Sequence, residues 1–481
     1  MGSRRQRAAA LLGGAAAVGA SVDVLVRGHA PGINVLVAAV VFVGSLAVVL
    51  RVTDAPFHQG RRWMALLVLV FAALFAVRDS RLLTAVNLLA LAGAISLGAL
   101  RRTSRPATAT LGDYAVGLVS AGAAAFGGTV LLLEHEVPWR RVRTARALTV
   151  VRGAAIAAPF LLVFGALFLA ADAVFRNLAA SAVPTALPEV WPHVLVIVGV
   201  TWLAAGLLRD LSAARDHDRL MSPEELALGE RTWRIGATEV AIALACIDLL
   251  FLAFVLVQAR YLFGGRSIVL SHQHLTYAQY ARHGFFELLA VSVLVVPVVL
   301  AANALVRTRA LRGLSIALIL LELAVAASAL QRMHVYVDQY GLTELRIYVT
   351  GVTLWIAAIL IWALPTIVVG NGRRFAVGAL VAGFAATLAL NAVNPDALIV
   401  RTNIARGNVD PRYLARLGDD AVPALIARLP AVTDPGARRT LAQALLDKRI
   451  STGLVSWNAS RSAAAHAIAH NRSQLRALAG R

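Results

Sequence analysis

Long apolar runs dominate the chain, and short polar segments separate them. A transmembrane helix needs about 20 mostly apolar residues to cross the hydrocarbon core of a bilayer. The runs that meet this criterion predict an all-α, polytopic transmembrane helix bundle with eleven or twelve spans. They lie at 8–26, 33–50, 63–77, 82–100, 111–133, 153–174, 192–208, 236–257, 284–306, 310–331, 346–369 and 374–391. The run at 63–77 is short, and the run at 111–133 is rich in Gly and Ala and contains Asp113, so these two are the weakest.

Arginines between the runs predict the orientation, because short cytoplasmic loops carry an excess of Lys and Arg. They place the N-terminus in the cytoplasm, and they place both flanks of 111–133 there as well. One simple span cannot connect two cytoplasmic flanks. We therefore favour a re-entrant or interfacial helix at 111–133, the alternative being that an earlier span is misassigned. A cleaved signal peptide is a further alternative at the N-terminus, but the apolar run continues through Val26 and favours a first membrane helix.

Three regions follow from this pattern: N-terminal membrane helices at 1–148, a second membrane domain at 149–391, and a small helical tail at 392–481. Residues 396–481 contain 13 basic and 6 acidic positions and no long apolar run. Asp410-Pro411, Asp419-Asp420 and Asp434-Pro435 are predicted helix starts, because Asp is a good N-cap and Pro suits the first helical turn. Parity places the tail outside the cytoplasm, whereas its arginines favour the inside, and both alternatives stay open.

The composition indicates that most of the chain lies in a lipid bilayer and not in water. The chain of 481 residues is 59% hydrophobic and only 15% charged, which excludes a soluble enzyme and a disordered protein. A single cysteine, Cys246, excludes a disulfide scaffold. The net charge of +20 lies mainly in short segments between spans, so we expect an orientation signal and no nucleic-acid partner. The predicted partner is the lipid bilayer, and the predicted location is a cell membrane.

Ionisable groups within a span cost about 2.5–3.5 kcal/mol each on the insertion scale, so each needs an explanation. Glu239, Asp248 and Glu322 are the predicted intramembrane acids. Glu239 and Asp248 are nine residues apart, so on one helix they face opposite sides. Glu322 is the deepest. Two hypotheses fit it: a carboxyl that is hydrogen-bonded within the bundle, or part of a path for protons or cations.

No metal or cofactor site is predicted. His283 and Glu287 have the i, i+4 spacing of zinc ligands, but His272 and His274 lie in a predicted loop without a second cluster. Ordinary interfacial histidines explain them better. No nucleotide-binding loop, zinc-protease motif or nucleophile elbow is present, so no catalytic residue is predicted.

Three stretches are more polar and aromatic than their surroundings: Tyr277 to Glu287, Tyr336 to Arg346, and Leu390 to Asp396. In the second, Gly341 is predicted to end one helix and Thr343 to cap the next. In the third, Pro395 is predicted to stop the last span. The first two stretches are predicted to form one polar mouth over the bundle, built from Tyr277, Tyr280, Arg282, Glu287, Asp338, Tyr340, Thr343 and Arg346.

The same stretches, taken in order, resemble bacterial polytopic membrane proteins grouped as domain of unknown function 4173, which is related to the 4153 group. The resemblance covers about residues 150–425. It uses Arg152-Gly153, the first two polar stretches, and Asn394-Pro395-Asp396-Ala397 followed by Asn403 and Arg406. It implies an integral membrane protein without an established biochemistry, and it implies no catalytic residue.

Three functional hypotheses remain. The first is a non-catalytic membrane component that acts in envelope assembly or sensing through an envelope protein partner. The second is a proton- or cation-coupled transporter with Glu322 in the path, although no inverted repeat or paired broken helices support it. The third is a membrane enzyme that acts on a lipid or glycan at the polar mouth, with Glu287 and Asp338 as its carboxylates.

Overall fold

The computed structural model describes residues 2–101, 103, 105–135, 190–213, 237–263, 291–292, 294–300 and 308–480. Within these ranges the chain is helical and contains no strand, which confirms the all-α prediction. It divides into two compact units. Unit 1 comprises Met1–Ser222 and Ser451–Ser462, and unit 2 comprises Pro223–Ile450 and Ala463–Arg481.

Unit 1 contains six described long helices. They are α1 (Gly2–Leu25), α2 (Ile33–Val52), α3 (Gln59–Leu74), α4 (Arg81–Gly98), α5 (Leu111–His135) and α6 (Val190–Ser212). Helix α1 packs against α2 and α6, α3 packs against α4, and α5 packs against both α4 and α6. Helix α3 is the shortest, with 16 residues.

Helix α5 covers the run at 111–133 as one uninterrupted helix of 25 residues. The re-entrant or interfacial placement of this run stays a prediction, and its described form is a continuous helix. The helix is antiparallel to α6: a Cβ on Gly206 would lie 2.0 Å from the Ala124 carbonyl oxygen. Farther along α5, the Thr129 hydroxyl donates to the Trp202 carbonyl over 2.5 Å. Small residues therefore bring these two helices into close backbone contact.

A tail segment, Ser451–Ser462, belongs to unit 1 and binds two of its loops. The Asn458 amide donates to the carbonyls of Phe75 and Arg78 over 2.8 and 2.9 Å. The buried Arg461 guanidinium donates to the Pro31 carbonyl over 2.6 Å and pairs with Asp79 at 3.2 Å. Both loops lie at the end of unit 1 where α1 and α3 finish. The tail segment is therefore at the opposite end of α1 from the N-terminus.

Unit 2 begins with four described long helices: α7 (Ala237–Phe263), α8 (Arg309–Tyr340), α9 (Glu344–Val369) and α10 (Gly372–Val393). Residues 294–300 are also helical. These five segments share one hydrophobic core. Shorter helices follow: α11 (Pro395–Ala405), α12 (Pro411–Arg416), α13 (Val422–Arg428), α14 (Pro435–Asp447), α15 (Ala459–His470) and α16 (Arg472–Ala479).

Capping side chains explain most of the helix starts in unit 2. Thr343 caps α9, Asp410 caps α12 and Asp434 caps α14, with Pro at the first or second position of both tail helices, as predicted. The prediction for Asp419-Asp420 is wrong: these residues form a 3-10 turn, and neither side chain caps α13. Asp419 instead lies 3.3 Å from the Lys448 ammonium, so an ion pair replaces the expected cap.

Nine of the described helices, α1, α2 and α4 to α10, are long and apolar enough to cross a membrane. The protein is thus a multi-pass membrane protein, as predicted. The predicted span at 153–174 lies outside the described residues, and of the one at 284–306 only residues 291–292 and 294–300 are described. Helix α8 has 32 residues and extends well beyond the predicted end at 331, finishing at Gly341 with φ of +74°.

Candidate functional site

The structure describes seven of the eleven predicted site residues. Those missing are the four of the first polar stretch, Tyr277, Tyr280, Arg282 and Glu287, which lie outside the described residues. The polar mouth therefore stays a prediction. The other four of its residues, Asp338, Tyr340, Thr343 and Arg346, lie where α8 ends and α9 begins.

At this place α11 comes back to the turn between α8 and α9. The Asn403 side chain binds both backbone groups of Leu342: its Oδ1 accepts from the amide nitrogen over 2.6 Å, and its Nδ2 donates to the carbonyl over 2.9 Å. Gly341 has φ of +74°, and a Cβ there would lie 2.9 Å from the Asn403 Oδ1. Only glycine combines this left-handed backbone with so close a neighbour. The turn is thus fixed from α11.

Arg346 completes the end of α8. Its guanidinium donates to the Tyr340 carbonyl over 3.0 Å and also to the Gly341 carbonyl. Carbonyls in the last turn of a helix have no partner within the helix, and a cation there also suits the helix dipole. The same guanidinium lies 4.0 Å from the centroid of the Tyr336 ring, which in turn lies 5.2 Å from the Tyr340 ring. The Arg346 guanidinium therefore contacts both the last carbonyls of α8 and an aromatic ring of the same helix.

Asp338, near the end of α8, forms an ion pair with Arg406, which follows α11. It pairs with Arg406 at 3.0 Å and approaches His334 at 3.3 Å. Its side chain is 48% exposed, so the pair belongs to the class of surface ion pairs that contribute about 0–1 kcal/mol. We call Tyr336, Asp338, Tyr340, Arg346, Asn403 and Arg406 the junction cluster. Its contacts join the ends of two spans to the tail.

A buried acid, Asp396, lies beside the junction cluster at the start of α11 and is 1% exposed. Its Oδ2 accepts the Gly418 amide hydrogen over 3.1 Å, and its Oδ1 has no partner among the described residues. Desolvation raises the pKa of Asp396 to about 7, with smaller contributions from Glu344 and Asp420, while Lys448 opposes the shift. Burial also raises the pKa of Tyr413, whose hydroxyl accepts from the Glu344 amide over 2.9 Å.

A small cavity lies beside Gly418, whose amide binds Asp396, and Lys448 also lines it. Its volume of about 10 Å³ is enough for about one water molecule. Lys448 itself donates to the Leu417 carbonyl over 2.8 Å. This cavity cannot hold an organic substrate. Among the described residues, no group of three His, Cys, Asp or Glu side chains has the geometry to hold a metal ion.

The three predicted intramembrane acids differ in their surroundings. Glu239 is exposed near the start of α7. Asp248, farther along the same helix, is 8% exposed, and neither carboxylate oxygen has a partner in the described part of the chain. Glu322 is 0% exposed at the middle of α8. The Ser292 hydroxyl donates to its Oε1, and its Oε2 has no partner among the described residues.

A fourth membrane acid, in unit 1, is fully bonded. Asp23, near the end of α1, is 4% exposed. Its Oδ1 accepts from Arg27 over 2.6 Å, and its Oδ2 lies 2.6 Å from the His193 ring. Asp23 therefore links α1 to α6, and its oxygens need no further ligand.

Helices that cross a membrane several times, with a polar cluster that joins two of them to a helical tail, define the class: a polytopic all-α membrane protein. The chain belongs to the family described as Domain of unknown function (DUF4153), whose sequence pattern matches residues 65–427. The match begins well before residue 150 and so includes most of α3 and all of α4 to α6. No curated protein and no solved structure matches the chain.

Proposed function

We propose that the chain is a non-catalytic membrane component that mounts a small helical domain on the membrane for contact with an envelope protein, in assembly or sensing. The tail domain consists of residues 395–450 and 463–479 in unit 2. One observation carries the proposal: the tail domain and the membrane helices share a hydrophobic core. Ile347 of α9 is buried in the same cluster as Ile399 and Leu441 of the tail domain, and Leu390 of α10 packs against it.

The junction cluster supports this role. Asn403 and Arg346 satisfy the backbone groups of the turn between α8 and α9, and Asp338 pairs with Arg406. These groups are used to hold the tail domain against the spans, and the described geometry gives them no reacting partner. A domain that is fixed in this way presents a constant surface, which favours recognition by a partner because little ordering is needed on binding.

We further propose that the tail domain lies outside the cytoplasm of a bacterial cell. In unit 2 it is at the end where α8 finishes, whereas Arg309, Arg312, Arg373 and Arg374 lie at the other end of the same helices. In unit 1 the tail segment binds the loops at 31 and 75–79, whereas Arg51, Arg61, Arg62, Arg101 and Arg105 lie at the other end. Each unit alone favours the same side by the positive-inside rule.

The same reasoning makes α5 a crossing helix. It runs antiparallel to α6 in close contact and has the length of a span. With the N-terminus in the cytoplasm, α5 then ends on the tail side, where α6 also begins.

Labelling of single cysteines tests the orientation. Cys246 is replaced by serine, and a cysteine is placed at Arg439, which is exposed on α14 of the tail domain. A membrane-impermeant maleimide added to spheroplasts is expected to label Arg439→Cys. The matched control, Arg373→Cys at the exposed start of α10, is expected to react only after permeabilisation. The reverse pattern would overturn the orientation.

Site-specific photo-crosslinking tests the partner. A photoreactive residue at Arg439 is expected to give a discrete protein adduct in native membranes, and the same residue at the lipid-facing Val381 of α10 is expected to give none. Asn403→Ala, which loosens the mounting, should weaken the adduct. If no adduct forms from several exposed positions of the tail domain under several growth conditions, the assembly or sensing role is wrong.

A further inference from the structure

Glu322 lies on the stripe of α8 that packs into the bundle of unit 2. Its neighbours on this stripe, Leu318, Ile319, Val325 and Ala326, are all buried. Apart from the bond that its Oε1 accepts from Ser292, the carboxyl has no partner in the described part of the chain. A carboxylate oxygen without a donor is costly in an apolar interior, because no water replaces the lost hydrogen bonds. The site therefore needs a ligand that neutralises it.

Asp248 lies at the same level of the bundle. It comes between Leu244 and Phe251 on α7, just as Glu322 comes between Ile319 and Val325 on α8. Leu244 and Ile319 share one buried cluster, and Phe251 packs against both this cluster and the one that contains Val325. Both acids therefore lie where these two clusters adjoin. Asp248 has two oxygens without a partner among the described residues, so this level contains three such oxygens in all.

Basic side chains lie only near the ends of the described spans of unit 2 and not in their central parts. Residues 240–257, 294–300, 313–331, 349–369 and 375–393 contain no Lys, Arg or His. Ca²⁺ or Mg²⁺ would need about six or more oxygen ligands, which is more than two carboxyls and one serine provide. A proton needs only one, and a protonated carboxyl can also donate a hydrogen bond.

We propose that Glu322, Asp248 and Ser292 form a proton-binding site inside the helix bundle of unit 2. Glu322 is its centre, and Ser292 orients the carboxyl through Oε1. Asp248 is a second proton acceptor on the neighbouring helix. The site involves neither the tail domain nor an envelope partner. It can therefore be tested independently of the proposed function.

Dicyclohexylcarbodiimide is the probe, because it reacts with protonated carboxyls in apolar surroundings. The carboxyl oxygen adds to the central carbon of the carbodiimide, and the carboxyl proton moves to a carbodiimide nitrogen. The full-length protein is labelled in detergent over a range of pH values, and the modified residue is identified by mass spectrometry. We expect labelling of Glu322 that decreases as the pH rises. An unlabelled Glu322 in folded protein at every pH would overturn the proposal.

Variants distinguish a site formed by both Glu322 and Asp248 from a site formed by Glu322 alone. Asp248→Asn is expected to change the pH dependence of Glu322 labelling, whereas Glu239→Gln, at the exposed acid of the same helix, should leave it unchanged. An identical pH profile in Asp248→Asn would show that the two acids do not form one site. Size-exclusion chromatography establishes that each variant is folded.

Sodium provides the final discrimination. The labelling is repeated in sodium chloride and in choline chloride at equal ionic strength. Equal labelling in the two salts is expected for a proton site. Protection of Glu322 by sodium alone would identify a sodium site and overturn the assignment of the proton as ligand.

Discussion

The junction cluster and the intramembrane acids of unit 2 are two polar regions with opposite bonding. At the junction, Asn403 meets both the donor and the acceptor of Leu342, and Arg346 binds the last carbonyls of α8. Inside the bundle, Glu322 has one donor and Asp248 has none in the described part of the chain. Polar groups that are fully paired fix a structure. Acceptors that are left unpaired in an apolar interior indicate an exchangeable ligand.

Asp396 is the exception at the junction. Like Glu322 it is a buried acid with one bonded and one unbonded oxygen, but it lies after the last span, in the core of the tail domain. The same chemistry therefore occurs once inside the bundle and once beside it. Asp396 therefore allows the titration of such an acid to be measured at a place outside the membrane spans.

Asp396 makes the stability of the tail domain dependent on pH. Burial raises the pKa of Asp396 from the ordinary value of 3.8 to about 7, so the folded state binds the proton more tightly. Stability is highest below about pH 4, decreases as the pH rises towards about 7, and is level above that. The total loss is about 4 kcal/mol, since each unit of pKa corresponds to about 1.4 kcal/mol. Limited proteolysis of the tail domain between pH 4 and 9 measures this.

Two variants sharpen this measurement. Asp396→Asn keeps the acceptor for the Gly418 amide and removes the titration, so it should abolish the slope and stabilise the tail domain at pH 8. Asp434→Asn is the matched control, because Asn caps a helix about as well as Asp. It should retain the slope. If both variants titrate like the parent chain, Asp396 is not the responsible group.

The substitution Asn403→Ala should cause the next largest loss of stability. It removes both bonds to Leu342 and leaves a partly buried amide and carbonyl without partners, which costs about 2–4 kcal/mol. Thermal unfolding, followed by proteolysis of the tail domain, gives the value. Asn471→Ala is the control, since that side chain binds a carbonyl of the helix just before it, at Ala467. Equal stability of the two variants would contradict a fixed junction.

Gly341→Ala tests the turn itself. Alanine at φ of +74° is strained, and its Cβ would contact Asn403, so we expect a loss of about 1–2 kcal/mol. Gly372→Ala at the start of α10 is the control, because a Cβ there meets nothing within 4 Å. That variant should be neutral or slightly stabilising in the same thermal assay. A neutral Gly341→Ala would mean that the turn can shift away from α11.

Local chemistry made the spans and the turn predictable from sequence. A continuous apolar run of span length is sufficient for a membrane helix, and Gly341 and Thr343 mark a helix end and a cap by their own properties. The end of α8 lies beyond the predicted end at residue 331, and the reason is also local. The polar segment from Gln331 to Tyr340 is outside the apolar run, but it continues the helix until Gly341.

Long-range pairs were not predictable. Asn403 binds Leu342 across 61 positions, and Ser292 binds Glu322 across 30, and no local pattern links either pair. The sequence motif at Asn394-Pro395-Asp396 indicated the end of the last span, and α10 does end at Val393. It did not indicate that Asp396 is buried, because burial follows from α13 and the turn at Gly418 folding back over α11. The predicted cap at Asp419-Asp420 failed for the same reason, since Lys448 comes from far along the chain.

The smallest effect should come from the ion pair between Asp338 and Arg406. Both side chains are at least one-third exposed, so a double-mutant cycle with Asp338→Asn and Arg406→Gln should give a coupling of about 0–1 kcal/mol. High salt should reduce the coupling further. A coupling well above this range would mean that a partner or the bilayer covers the pair in the native membrane. Repeating the cycle in detergent and in vesicles distinguishes these cases, because only the bilayer is restored in vesicles of the purified protein.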